Sequence, residues 1–131
     1  MEVMDIALEC FSERYAPELF LDIHRAWPNG FLVAVMSKPV GFLAAAKYSK
    51  EARILMLGVR KNQRRMGIGS ALMRRFIAVC RAQGLYSIRL EVRTTNISAI
   101  EFYKKFGFNI ISFIPGYYSN GDNAYVMWRV L

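Results

Sequence analysis

Histidine is almost absent from this chain: His24 stands alone, which excludes a multi-histidine metal site and any Ser-His-Asp triad built without it. His24 itself is read as structural. Cysteine is nearly as scarce. Cys10 and Cys80 have neither metal-ligand nor Cys-x-x-Cys spacing, and both fall in apolar helical patterns, so buried free thiols are expected and no metal. No apolar run approaches the roughly 20 residues of a membrane span. The start, Met1-Glu2-Val3-Met4-Asp5, lacks the basic opening and apolar stretch of a signal peptide, so a cytoplasmic protein without a membrane partner is expected. Repeats, linkers and low-complexity tracts are missing too. What remains is 131 residues, 54% hydrophobic and 14% aromatic, which excludes disorder and predicts one domain over 1–131.

The chain is organised around Arg53 to Ala82. Ile54 to Val59 reads as an apolar strand, Arg60 to Met66 as a basic loop, and Ser70 onward as a helix entered through Gly67-Ile68-Gly69. Such a turn leaves the first N–H groups of the helix unpaired, with the positive end of the macrodipole behind them. Glycines let a phosphate come close to the backbone, and the arginines upstream add charge, so a phosphorylated cofactor is predicted. A P-loop is excluded, because Gly69 is followed by Ser70-Ala71 with no lysine. A dinucleotide-binding fingerprint is tempting, since Glu91 lies about twenty residues on. It fails because a seven-residue loop separates strand from glycines and its third small residue would be Leu72.

The net charge of +8 is concentrated at this turn: six of the sixteen residues from Arg60 to Arg75 are basic. That would suit RNA or a ribosome surface, yet the charge is not spread along a helix face interleaved with aromatics, which favours the cofactor.

Along the chain, helices are predicted at Met4–Phe11 and Pro17–Ala26, and an antiparallel meander at Phe31–Met36, Val40–Tyr48 and Arg53–Val59. After the central helix, closed by Gly84, comes a strand at Ser87–Val92, parallel to the third by the handedness of crossovers. A helix at Ile97–Phe106 is capped by Thr94-Thr95-Asn96 and closed by Gly107. Strands at Phe108–Ile114 and Asn123–Leu131 complete a mixed α/β sheet with helices on both faces.

Arg64-x-x-Gly67-x-Gly69, followed by Leu90-Glu91-Val92-Arg93, Asn96, Ala99, Phe102-Tyr103 and Gly107-Phe108, resembles the two motif blocks of the GNAT superfamily of N-acetyltransferases. The pattern is most similar to the RimI-type and archaeal enzymes that acetylate protein N termini. The resemblance implies a GNAT fold of about six strands, because a strand normally precedes the first helix and here Met4 already reads as helical. Either the start of the gene is misplaced or that strand is absent, and an exposed sheet edge would be covered by a second subunit, so that both monomer and homodimer stay open. It implies acetyl-CoA as cofactor, with the pyrophosphate on the backbone of Arg64, Met66, Gly67, Gly69 and Ser70, and Arg60, Lys61, Arg65 or Lys104 at the ribose phosphate. The backbone of Leu57 and Val59 would pair with the pantetheine chain, and Asn96 would touch it.

By the same resemblance, Glu91 is the general base, acting directly or through a water, and Tyr103 is the general acid at the leaving sulfur. Read without the resemblance, Glu91 is a strand carboxylate paired with Arg89 or Arg93, Tyr103 is core packing, and Asn96 is a helix cap. Glu13 and Tyr15 resemble one side of a peptide site, and Tyr117 and Tyr118 the hairpin that closes over it; the bland alternative for the tyrosine pair is ordinary loop aromatics. The implied substrate is a protein or peptide N terminus, with the ribosome nearby. Two alternatives remain: a small-amine acetyltransferase for polyamines or aminoglycosides, using Glu13, Glu18, Asp22 and Asp122, or a non-catalytic acyl-CoA or ribosome-binding module.

Overall fold

Helical spacing of apolar residues builds both N-terminal helices. In α1 (Glu2–Cys10), Val3, Ile6 and Ala7 form one buried stripe; α2 (Pro17–Ala26) starts on a proline and buries Phe20 and Ile23. The computed structural model describes residues 2–11 and 15–131. Three antiparallel strands follow, β1 (Phe31–Met36), β2 (Lys38–Tyr48) and β3 (Glu51–Val59). Then come α3 (Ile68–Ala82), β4 (Ser87–Arg93), α4 (Ile97–Lys105), β5 (Asn109–Ile114) and β6 (Ala124–Val130). Each element lies within two residues of its expected bounds.

The six strands form one sheet in the order β1-β2-β3-β4-β6-β5. β3 and β4 run parallel, and every other pair is antiparallel. The last strand is therefore not at the edge: β6 sits between β4 and β5, which the sequence did not indicate. Both edges are exposed. β1 presents Val33, Val35 and Met36 to solvent, and β5 presents Ile110, Ile111 and Phe113.

Each face of the sheet has its own core. On one, α3 lays Leu72, Met73, Phe76 and Ile77 against Leu43, Ile54 and Leu90, with Ile100 of α4 closing the layer. On the other, Ile6 and Ala7 of α1 and Phe20 of α2 cover Phe42, Ala44 and Met56. Ile54 and Met56 thus face opposite sides although both lie on β3. The reason is a bulge: Ile54 pairs with Ala45 and Met56 with Ala44, so Leu55 has no partner and the alternation of faces slips by one.

Phe76 is fully buried between α3 and the sheet, edge-on to Trp27. Phe76→Ala is predicted to destabilise the fold by about 3–5 kcal/mol, measured by urea unfolding. A loss below about 1 kcal/mol would mean that this layer repacks without a cavity.

Candidate functional site

Four register pairs join β3 to β4, from Glu51 and Ser87 to Ile54 and Leu90, and there the pairing stops. β4 runs on alongside β6 without interruption from Ser87 to Arg93, while β3 bends away at the Leu55 bulge. The strands part into a cleft of about 910 Å³. Leu55 to Val59 form one wall, Leu90 to Arg93 the other, and Asn96, Ala99, Phe102 and Tyr103 of α4 close the top. The edge of β3 facing β4 is left without a strand partner beyond Ile54, so it can accept an extended ligand by β-augmentation.

At one end the cleft reaches the N-terminus of α3, lined by Gln63, Arg64, Arg65, Gly67, Gly69 and Ser70. Gly67 is the N-cap, in the left-handed region at φ +77, and no side chain caps the helix. The first bond the turn makes is from Ala71 N–H to the Gly67 carbonyl at 2.9 Å, and the first turn holds no acidic residue. The positive end of α3 is thus uncompensated. A Cβ at Gly67 would meet nothing within 4 Å, so the approach above the turn is open. An anion fits here.

The basic side chains of the loop are not equivalent. Arg60 donates to the Pro39 carbonyl (3.2 Å) and faces Glu9 of α1. Arg64 folds back, its Nε on the Val59 carbonyl (2.9 Å) and its Nη2 on Cys10 Sγ (3.4 Å). Arg65 lines the cleft. Lys104 is exposed and outside it, and the Met66 side chain is exposed as well. The Val59 carbonyl, expected to be available, also accepts from the Cys10 thiol at 3.2 Å. Cys10 is half-buried at the cleft rather than buried; Cys80 is buried, and burial pushes its thiol up to about 12.

On the opposite side of the sheet from α3, Glu91 is the centre of a polar cluster. Its side chain is only 6% exposed, so the carboxylate needs partners. Oε1 accepts from Arg53 Nε (2.8 Å), contacts Arg53 Nη2 (2.5 Å) and accepts from the Tyr117 hydroxyl (3.3 Å). Oε2 accepts from Arg89 Nε at 3.0 Å. Arg53 also donates to the Tyr117 oxygen at 2.8 Å. Burial alone would lower the Arg53 pKa, but the hydrogen bond and charge of Glu91 outweigh it and leave the guanidinium raised. The Tyr117 hydroxyl is raised by burial and by the Glu91 charge. The surface-pair reading of Glu91 is thus half right: it pairs with Arg89, but its second arginine is Arg53 from the neighbouring strand. Arg93 instead binds Asp122 at 3.0 Å.

Tyr103 packs edge-on against Phe102 and Phe108, and it lines the cleft. The Phe108 N–H bonds back to the Tyr103 carbonyl (3.2 Å) through Gly107 at φ +84, which fixes the end of α4 on which Tyr103 stands. Burial, helped by Tyr118, pushes its hydroxyl up to about 12. Asn96 is the α4 cap, accepting from Ala99 N at 3.3 Å, and it also lines the cleft, so both of its expected roles are open. Tyr15 and Tyr118 line the cleft as well, while Tyr117 lies behind, on Glu91. Glu13 lies outside the described residues. The residue that sequence reading missed is Arg53. It lies opposite Arg89 on the parallel strand, a pairing between distant segments that no local signal in the sequence gives.

A splayed parallel strand pair over an uncapped helix N-terminus, with a buried carboxylate and a tyrosine on one cleft, suits an extended ligand that carries phosphate at one end. The acetyltransferase (GNAT) family matches residues 1–108. An uncharacterized N-acetyltransferase of Methanocaldococcus jannaschii is 33% identical over 95% of this chain and 81% of its own length. Other curated relatives, N-alpha-acetyltransferases, are spanned by the match over only about half their length. Among solved structures, Ard1 from Thermoplasma volcanium superposes with a TM-score of 0.95 at 51% identity, covering 99% of this chain and 89% of that one. Arabidopsis thaliana Naa50, solved with the bisubstrate analogue CoA-Ac-MVNAL, gives 0.90 at 32%, covering 100% and 91%. The chain belongs to the GNAT family, and as an N-acetyltransferase it takes its acetyl group from acetyl-CoA.

Gly67→Val is predicted to lower CoA affinity by at least about tenfold, because the left-handed backbone becomes strained and the new side chain enters the open approach. Titration calorimetry with CoA checks this. Unchanged affinity would place the phosphates elsewhere.

Proposed function

We propose that this chain, as a single domain over residues 1–131, acetylates the α-amine of protein or peptide N termini. The observation that carries the reading is that Glu91 and Tyr103 both line the cleft that ends on the uncapped α3 turn. Likeness to a structure solved with CoA joined to a peptide supports it.

Acetyl-CoA supplies an activated acyl thioester. The α3 N–H groups, with Arg65 beside them, would hold its phosphates, and the edge of β3 from Leu57 to Val59, which β4 leaves without a strand partner, would hold the pantetheine chain, with the Asn96 amide as a further donor. Acetyl transfer needs the incoming ammonium to lose a proton. Among the described residues Glu91 Oε2 accepts from Arg89 alone, so an acceptor site is left for the proton, directly or through a water. Tyr103, with its hydroxyl pushed up to about 12, keeps its proton through the neutral range and can give it to the leaving sulfur.

The polyamine and aminoglycoside reading is less well supported. Among the described residues, Glu18 and Asp22 are exposed on α2 away from the cleft, and Asp122 is held by Arg93 and Asn120. A polycation would instead meet arginines.

The test is a mass-spectrometric transfer assay with acetyl-CoA and short peptides that have free α-amines and blocked lysines. Acetylated N termini are expected; if CoA binds and only small amines react, the peptide reading fails. In the same assay Glu91→Gln and Tyr103→Phe are each predicted to lower kcat by about 10²–10⁴ while CoA affinity is kept. A pH–rate profile unchanged by Glu91→Gln would remove Glu91 as the base. Because Tyr103 titrates near 12, an alkaline loss of rate well below that value belongs to another group.

A further inference from the structure

Two arginines share one carboxylate at the peptide side of the cleft, and the donors they leave over have no use in the acetyl transfer described above. Arg53 and Arg89 stand opposite one another on the parallel strands β3 and β4. Glu91 engages Arg53 through Nε and Nη2, but it engages Arg89 through Nε alone. A guanidinium carries five N–H donors in a planar fork. Both terminal nitrogens of Arg89 therefore remain unbonded among the described residues, on a side chain that is 42% exposed. Arg53, 32% exposed, keeps Nη1.

The neighbouring acids do not fill this place. Glu51 Oε2 accepts from Ser87 (2.6 Å) and from Trp128 Nε1 (3.0 Å), and Asp122 accepts from Arg93 and Asn120. Arg89 cannot swing away freely, because its Nε is anchored on a carboxylate that is itself held by Arg53 and Tyr117. The result is a guanidinium fork fixed in direction at its inner edge and open at its outer edge. That geometry fits a second carboxylate, which would accept both terminal N–H groups side by side.

We infer that Arg89, aligned by Glu91 and backed by Arg53, selects substrates with a carboxylate side chain in their first two residues. The inference rests on the reading of the protein as an N-terminal acetyltransferase. An amine attacking a thioester in the cleft sits where β3 and β4 part, just beyond Ile54 and Leu90. Arg53 and Arg89 lie one residue back along each strand, on the face that carries Glu91; Glu91 lines the cleft and they do not, so a side chain of the attacking residue or the next would extend past Glu91 to meet them. An acidic side chain gains two charge-assisted hydrogen bonds there, and a lysine or arginine meets two like charges.

The test uses the full chain with acetyl-CoA and peptides identical except at the first or second residue, which is Asp, Asn, Glu, Gln, Ala or Lys. The readout is the ratio of kcat/KM for each acid to its amide isostere, which cancels any loss of rate common to both. About 10–100-fold preference for the acid is expected, as for one bidentate charged pair in a partly exposed site. In Arg89→Gln the ratio should fall to about one, and in Arg89→Glu the Lys peptide should rise relative to the Asp peptide. A ratio near one in the unaltered protein overturns the inference, as does a ratio that survives Arg89→Gln. If neutral peptides are acetylated and acids gain nothing, only this specificity falls. If no peptide is acetylated, the N-terminal reading falls and takes the specificity with it.

Discussion

β3 and β4 are paired for four residues and then separate, and the rest of the site depends on that separation. A parallel pair continued to Val59 would close the cleft and bury the edge that an extended ligand needs. The sheet is forced open by an asymmetry of partners. β4 is held to β6 over its whole length, whereas β3 is held to β2 and must accommodate the unpaired Leu55. The bulge adds twist to β3 alone, so that strand leaves the plane and β4 does not. It also turns Met56 and Gly58 toward α1, where a Cβ on Gly58 would meet Cys10 at 3.2 Å. Small residues at the end of β3 therefore let α1 pack close to the cleft wall.

The two ends of the cleft solve opposite electrostatic problems. At α3, positive potential is left uncompensated: the helix has no cap, no acid in its first turn, and a basic loop before it. That is unfavourable for an isolated helix and is offset when an anion binds. Around Glu91 the charge is compensated internally. A carboxylate exposed by only 6% would be costly alone, and two guanidinium groups and a phenol hydroxyl surround it. The first arrangement suits a ligand that brings its own charge. The second holds a charged group in place before any ligand arrives.

Most of this architecture is legible in the sequence, for physical reasons. Helices and strands are recovered because their apolar residues keep strict periods and their ends carry Pro17, Asn96, Gly84 and Gly107. The cradle is legible because Gly67 and Gly69 follow a strand and precede a helix. Less is legible where the outcome depends on contacts between distant segments. Arg53 looks like an ordinary solvent-facing strand residue, since nothing local shows that Arg89 will lie opposite it and Glu91 between them. The position of β6 follows from which strand fills the slot beside β4, a choice that local patterning does not encode. Cys10 reads as core from its helix, yet it meets Val59 and Arg64 only because β3 bends toward α1.

That slot beside β4 also explains how the tyrosine hairpin reaches the site. With β6 next to β4, the turn between β5 and β6 emerges beside Arg93, at the mouth of the cleft. Arg93 binds Asp122 and lies over the Tyr118 ring at 3.9 Å, while Thr94 N donates to the Asn123 carbonyl and Gly116 N to the Asn123 side chain. Tyr117 then stands edge-on to Tyr118 and reaches Glu91. The loop is tied to β4 by charge, stacking and backbone bonds at once. A loop ordered in advance spends less conformational entropy when a ligand is bound. The same ties couple the loop to the carboxylate: moving Tyr117 off Glu91 would strip one donor from Glu91 and one acceptor from Arg53, so a displacement of the loop disturbs the charged cluster as well.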